Sequence, residues 1–166
     1  MEAKQTINAF LNADLFSRQL ILKRNEFLKI SGTVDTDIYW VDSGSLKIYI
    51  LDDDEERIVR FGYQGDFIVS LDSFLSGKDS DFHIQAIKKT TVKIASKSDF
   101  LRFMNSNYEY LKLWNSILED LILQQIEREK DLLISSPKER YERVLKRSPK
   151  LFQEIPDRYI ANYLSM

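Results

Sequence analysis

The chain has 166 residues, a net charge of −2 and no cysteine, which excludes disulfides, thiol catalysis and cysteine-ligated iron–sulfur clusters. Its length accommodates one sizeable core, or a core with a small appendage. The charge is uneven: residues 137–166 hold seven Lys/Arg against four Asp/Glu, leaving 17 basic and 22 acidic residues in 1–136. An acidic body with a basic tail is compatible with a nucleic-acid-facing end. The opening residues Met-Glu-Ala-Lys-Gln-Thr lack the apolar stretch of a signal peptide. The most apolar later run, 111–126, is broken by Lys112, Glu119 and Asp120, so no bilayer span and a cytoplasmic location are expected.

In chain order, Ile7, Phe10, Leu11, Leu15, Leu20 and Ile21 predict an amphipathic helix over 3–22, broken near residues 12–14. Residues 27–94 then read as short alternating strands, among them Ile38-Tyr39-Trp40-Val41, Leu46-Lys47-Ile48-Tyr49-Ile50 and Ile58-Val59-Arg60-Phe61. Gly32, Gly44, Gly62 and Gly65 punctuate them, and strand–turn–strand at this spacing predicts an antiparallel sandwich or roll. Gly44 and Gly65 are expected in turns. The acidic tip Asp52-Asp53-Asp54-Glu55-Glu56 reads as a solvated turn, because it lacks the spaced ligands and turn glycine of a cation loop.

After Ser98-Asp99 the period changes. Ser98 is the expected cap of a short helix over 100–104, and Asn107 that of a long helix ending near Ser135. Leu111, Trp114, Leu118 and Leu121 keep a four–three spacing along it, with Tyr110, Leu113, Ile117, Ile122 and Ile126 beside or opposite. So wide an apolar surface suits either a helix buried centrally in its own domain or one packed on both its roll and a second subunit. The second is favoured, with those four residues as a dimer seam. Ser135-Ser136-Pro137 marks a boundary, since proline fits the first turn of a new helix. Ser148-Pro149 ends that helix, and Ile155-Pro156 opens another.

Signatures of enzymatic chemistry are close to absent. The single histidine, His83, lies in the alternating strand Asp81-Phe82-His83-Ile84-Gln85-Ala86, where a surface or edge residue is expected rather than a ligand. A metal-dependent roll needs several His and a Glu converging on one ion. Neither a Ser–His–acid set nor a phosphate-binding GxxxxGK[ST] loop can be assigned. No catalytic residue, metal or cofactor is expected.

The run Asp35-Thr36-Asp37-Ile38-Tyr39 after a glycine, then Ser43-Gly44-Ser45-Leu46-Lys47-Ile48-Tyr49 and Gly65-Asp66-Phe67, resembles the β-roll of the cyclic-nucleotide-binding domain. More narrowly, the chain is similar to the Crp/Fnr family of bacterial transcription regulators, nearest its cytophaga/bacteroides-type subgroup. The resemblance implies an α+β fold: an antiparallel β-roll with flanking helices, a long dimerisation helix and the start of a winged helix–turn–helix. It divides the chain into a sensor over 1–106, the long helix over 107–135 and an incomplete DNA-binding domain over 136–166. In such rolls Gly-Asp-Phe is followed by Gly-Glu-Leu and, after a loop, by Arg-Ser or Arg-Thr. That arginine pairs with the cyclic phosphate, and the glutamate binds the ribose.

Here Val69-Ser70 stands in place of Gly-Glu, and Ser80-Asp81 in place of Arg-Ser. The implied effector pocket comprises Gly65, Asp66, Ser70, Leu71, Ser80 and Asp81, roofed by Gln124 and Gln125 of the long helix. Without the arginine, cyclic AMP is not the expected effector; the pocket is either packing or a site for another small molecule. Arg57 and Arg60, on a neighbouring strand, are the arginines able to compensate by turning inward. The terminal segment from Ser136 through Tyr159-Ile160-Ala161-Asn162-Tyr163-Leu164 resembles the start of the regulators' helix–turn–helix, whose recognition helix would follow Met166. Lys146, Arg147, Lys150 and Arg158 are the implied phosphate contacts. The expectation is the effector-binding and dimerisation portion of such a regulator: a homodimer, reaching DNA through the complete parent protein, without a membrane partner. The alternative is a stand-alone binding or scaffold module with no DNA role.

Overall fold

The structure, a computed structural model, describes residues 14–166 together with Asn8 and Leu11. Part of the helix predicted over 3–22 lies outside those residues, and Asn8 and Leu11 within it are helical. Within them its end is not helical: a 3-10 turn, Asp14–Phe16, leads into strand β1, Arg18–Leu22. The reason is non-local, because Arg18 to Leu22 run antiparallel along Ile94 to Thr90 and take their backbone partners there.

Strands β2 (Phe27–Lys29), β3 (Ile38–Ser43), β4 (Ser45–Asp52), β5 (Glu55–Tyr63), β6 (Phe67–Ile68), β7 (His83–Ala86) and β8 (Thr90–Ala95) complete the roll. They form two antiparallel four-stranded sheets, ordered β1-β8-β3-β6 and β2-β7-β4-β5. Successive side chains alternate between faces, so Tyr39, Val41, Leu46, Ile48, Ile84, Ala86 and Val92 meet as one core between the sheets. The antiparallel roll is therefore present as expected. At the acidic tip Asp53 and Asp54 take φ of 48° and 65°, the left-handed pair that a two-residue hairpin turn requires. Gly44 turns β3 into β4 at φ +94°, and a Cβ there would lie 2.4 Å from Thr90 Oγ1. Only glycine admits both the angle and the approach.

Helix α1 (Leu71–Ser76) interrupts the roll, and α2 (Lys97–Asn105), α3 (Tyr108–Leu133), α4 (Pro137–Arg147), α5 (Pro149–Glu154) and α6 (Asp157–Tyr163) follow it. The cap of α2 is Ser96 rather than Ser98: its Oγ accepts the Asp99 N–H at 3.2 Å. Ser96 directly follows β8 and is still extended, as a capping residue must be. Asn107 caps α3 through the Glu109 N–H at 2.8 Å, and Ser136 caps α4 through the Glu139 N–H at 3.3 Å. No helix among the described residues is long and apolar enough to cross a membrane.

Two further cores flank the first. Phe16, Ile38, Phe74, Phe100 and Met104 bury the start of α3 against the roll. On the outer face of β4 and β5, Tyr49, Ile58 and Phe61 pack with Val144, Leu151, Ile155, Ile160 and Leu164 of the terminal segment. Asp131, fully buried at the end of α3, receives Arg143 Nε at 2.7 Å and both terminal nitrogens of Arg147. These bonds tie α4 to α3.

Candidate functional site

The register of β4 against β5 slips once: Ile48 pairs with Arg60 but Tyr49 with Ile58, leaving Val59 as the extra residue of a β-bulge. Uninterrupted alternation would send Arg60 to the same face as Ile58. The bulge reverses this. Ile58 follows Tyr49 outward to the terminal helices, and Arg60 follows Ile48 inward.

Arg60 thereby enters a cavity of about 460 Å³ between the inner wall of the roll and α3. Ile48, Val59, Val69, Phe82, Ile84 and Leu121 make its walls apolar. Ser70, 4% exposed, lines it with a hydroxyl that has no hydrogen-bond partner. Arg128 lines it too: one terminal nitrogen donates to the Ile58 carbonyl at 3.0 Å, and the guanidinium lies 5.0 Å from the Tyr163 ring centre. Its Nε is buried without a partner. Burial pulls both Arg60 and Arg128 below their ordinary values.

A second cavity of about 520 Å³ adjoins the first, and Arg60, Leu121, Gln124 and Tyr163 line both. Its polar wall includes Asp66, whose Oδ2 accepts the Tyr63 N–H at 2.9 Å. Burial raises the Asp66 carboxyl above its ordinary value, against the opposing pull of that N–H, Arg60 and Lys150. Gly65 (φ +90°) and Asp66 form a turn pinned to β3: Gly65 N–H donates to the Val41 carbonyl, and Val41 N–H to that of Asp66.

The implied pocket residues divide accordingly. Ser70, Leu71, Gln124 and Gln125 line the apolar cavity, while Gly65 and Asp66 line its neighbour. Ser80 and Asp81 line neither. Ser80 is fully buried, its Oγ accepting the Phe82 N–H at 3.2 Å and its N–H donating to the Thr33 carbonyl at 3.1 Å. Asp81 is exposed. At the start of α1, Asp72 takes the Ser73 N–H on its own carboxylate at 2.9 Å, placing a negative charge on the lining of the apolar cavity. Of the two arginines able to compensate, Arg60 faces in and Arg57 faces out, pairing with Asp52 and Glu55.

The expected dimer seam is split by packing. Trp114 turns into the chain, its ring 5.1 Å from Phe100 and 5.9 Å from Phe74 in edge-on contact, and Leu121 faces the two cavities. Leu111 and Leu118 are half-buried. The apolar residues left in the open on α3 include Ile122, Ile126 and Leu133, the last 85% exposed. With Leu111 and Leu118 they make one stripe. Among the basic residues expected to meet phosphate, Arg147 is engaged by Asp131, and Lys150 and Arg158 lie over the rings of Tyr63 and Tyr159. Lys146 is exposed. His83 is stacked on Tyr49, and its Nδ1 accepts the Ser31 N–H at 3.3 Å.

Residues 19–107, more than half of the chain, match the family described as cyclic nucleotide-binding domain. No curated protein sequence matches significantly. Among solved structures, the chain is similar to a CooA variant from Carboxydothermus hydrogenoformans, at a TM-score of 0.75 and 16% identity over 98% of this chain and 77% of that one. FixK2 from Bradyrhizobium japonicum gives 0.72 and 18% over 90% and 77%. The sensor domain of the transcriptional regulator DNR from Pseudomonas aeruginosa gives 0.60 and 17% over 82% and 91%. At such identities the likeness is one of fold.

Proposed function

Because the chain belongs to the cyclic nucleotide-binding domain family, we propose that it is the effector-binding and dimerisation portion of a bacterial Crp/Fnr-like transcription regulator whose cavity has abandoned cyclic-nucleotide chemistry. The observation that carries this is Ser80, which stands where the phosphate-binding arginine is expected and spends its hydroxyl on the Phe82 N–H. Counted at the position of the missing arginine, which Arg60 on β5 does not occupy, losing the charge pair and the ribose-binding glutamate together costs about 3–6 kcal/mol if each charged hydrogen bond contributes about 1.5–3. That moves a micromolar site to roughly the millimolar range.

In this reading residues 1–106 sense, 107–135 dimerise and 136–166 begin the DNA-binding domain. Dimers form through Leu118, Ile122, Ile126 and Leu133 of α3. DNA is reached through the complete parent protein, with Lys146 the most available phosphate contact. Tyr163 lines both cavities from α6, so an effector would touch the terminal segment directly. The DNR sensor domain, a part of a transcriptional regulator with the same fold, supports this division. One observation favours a stand-alone module instead: the terminal helices share a continuous core with β4 and β5.

Isothermal titration with cyclic AMP and cyclic GMP tests the proposal. Dissociation constants no tighter than about 0.1 mM are expected, and a value below about 10 µM would overturn the claim that nucleotide chemistry is gone.

A further inference from the structure

Resting on the reading that this cavity takes a small effector, we propose that the effector is an apolar monocarboxylate, its carboxylate held by Arg60 beside Ser70 and its hydrocarbon body against the inner wall of the roll. The Val59 bulge turns Arg60 into the cavity, and bulges commonly re-aim a side chain at a binding site. The Arg60 guanidinium makes no hydrogen bond or ion pair with another described residue. Ser70 presents a buried hydroxyl without a partner to the same space. Buried polar groups left unsatisfied call for a ligand or water, and here a cation and a neutral donor open onto one cavity.

Charge selects a monoanion. Two half-buried guanidinium groups, Arg60 and Arg128, face the cavity. The Asp66 carboxylate acts on Arg60 from the adjoining chamber, while Asp131 is already taken by Arg143 and Arg147. Asp72 and Glu129 are exposed, where water and salt screen them. Among the described residues no ion pair joins a carboxylate to Arg60 or Arg128, so an anion finds an unpaired guanidinium there. The walls select the body, because Ile48, Val59, Val69, Phe82, Ile84 and Leu121 offer no hydrogen bond from their side chains. Against that wall a sugar or a base would be desolvated without compensation, since Gln124 and Gln125 lie on the helix side of the cavity.

Isothermal titration of the full chain with hexanoate, octanoate and decanoate tests this, with decanol and cyclic AMP as comparators. Affinity is expected to rise roughly fourfold per methylene, as burial of each CH₂ dictates. Arg60→Gln, verified as folded by circular dichroism, should weaken decanoate by about 10- to 100-fold, the worth of a charge-assisted hydrogen bond. It should leave decanol unchanged, and Arg57→Gln, outside the cavity, should leave decanoate unchanged. Should Arg60→Gln fail to fold, Arg60→Lys keeps the charge without the fork and should retain weakened binding. Decanol binding as tightly as decanoate, or decanoate indifferent to both Arg60 variants, overturns the inference. Silence toward all three acids with cyclic AMP also silent overturns the inference alone. Micromolar cyclic AMP binding without decanoate binding overturns it together with the reading beneath it.

Discussion

Asn162 holds the free edge of the roll at Ile58: its Oδ1 accepts the Ile58 N–H at 2.9 Å, and its Nδ2 donates to the neighbouring Glu56 carbonyl at 2.9 Å. An asparagine amide carries an acceptor and a donor on separate atoms and so answers both a donor and an acceptor of an exposed strand, which otherwise invites pairing with another chain. Removing both bonds with Asn162→Ala should cost about 1–3 kcal/mol, at about 0.5–1.5 kcal/mol each. Hydrogen exchange at the Ile58 amide should accelerate in the variant. An unchanged exchange rate would mean that the terminal segment does not rest on β5 in solution.

Asp131 gives a pH signature. Burial alone would raise its carboxyl, but hydrogen bonds from Arg147 and Arg143 outweigh that and hold it below its ordinary value of 3.8. An acid depressed in the folded state contributes stability that is fully present above its ordinary value and lost as pH falls through the folded one. Thermal stability should therefore fall on acidification below about pH 4, and Asp131→Asn should remove that part of the slope. At neutral pH the same substitution should cost about 1.5–3 kcal/mol, toward the lower end because the arginines are partly solvated. Parallel melting-temperature profiles for the two proteins would contradict this.

The two sides of α3 make opposite forecasts. Leu118→Lys with Ile122→Lys should yield monomers in sedimentation and lower the melting temperature only by the stabilisation that association supplied. Trp114→Ala should instead destabilise the fold by as much as about 3 kcal/mol, a core-type loss, without acting first on association. A wild-type chain that sediments as a monomer at micromolar concentration would remove the stripe from the proposal.

Much of this fold is legible in the residues. Alternation over Ile38 to Ile58, the left-handed turns at Gly44 and Gly65, the cap at Asn107 and the boundary at Ser136-Pro137 are local signals, and each appears where local chemistry puts it. β1 is not legible, because Leu20 and Ile21 fit a helical face and only the remote partners Thr91 and Val92 make them a strand. The four–three seam names an apolar surface but not which side of it meets Phe74 and Phe100. The orientation of Arg60 is hidden for a sharper reason. It depends on a single-residue register slip at Val59, which no local pattern announces and which inverts the side chain's face. The pocket's position follows from the family resemblance; its chemistry follows from that bulge.

The central claim, that the roll's cavity is a binding site stripped of cyclic-nucleotide chemistry, is tested most directly by isoleucine-methyl NMR of the full chain. Ile48 and Ile84 lie on the cavity wall, whereas Ile155 and Ile160 lie in the terminal core and serve as remote reporters. On adding decanoate the Ile48 and Ile84 methyls should shift and saturate. They should stay in place on adding cyclic AMP up to about 10 µM, well short of the affinity left after the lost contacts. Saturable shifts of Ile48 and Ile84 with cyclic AMP at a dissociation constant below about 10 µM would contradict the account.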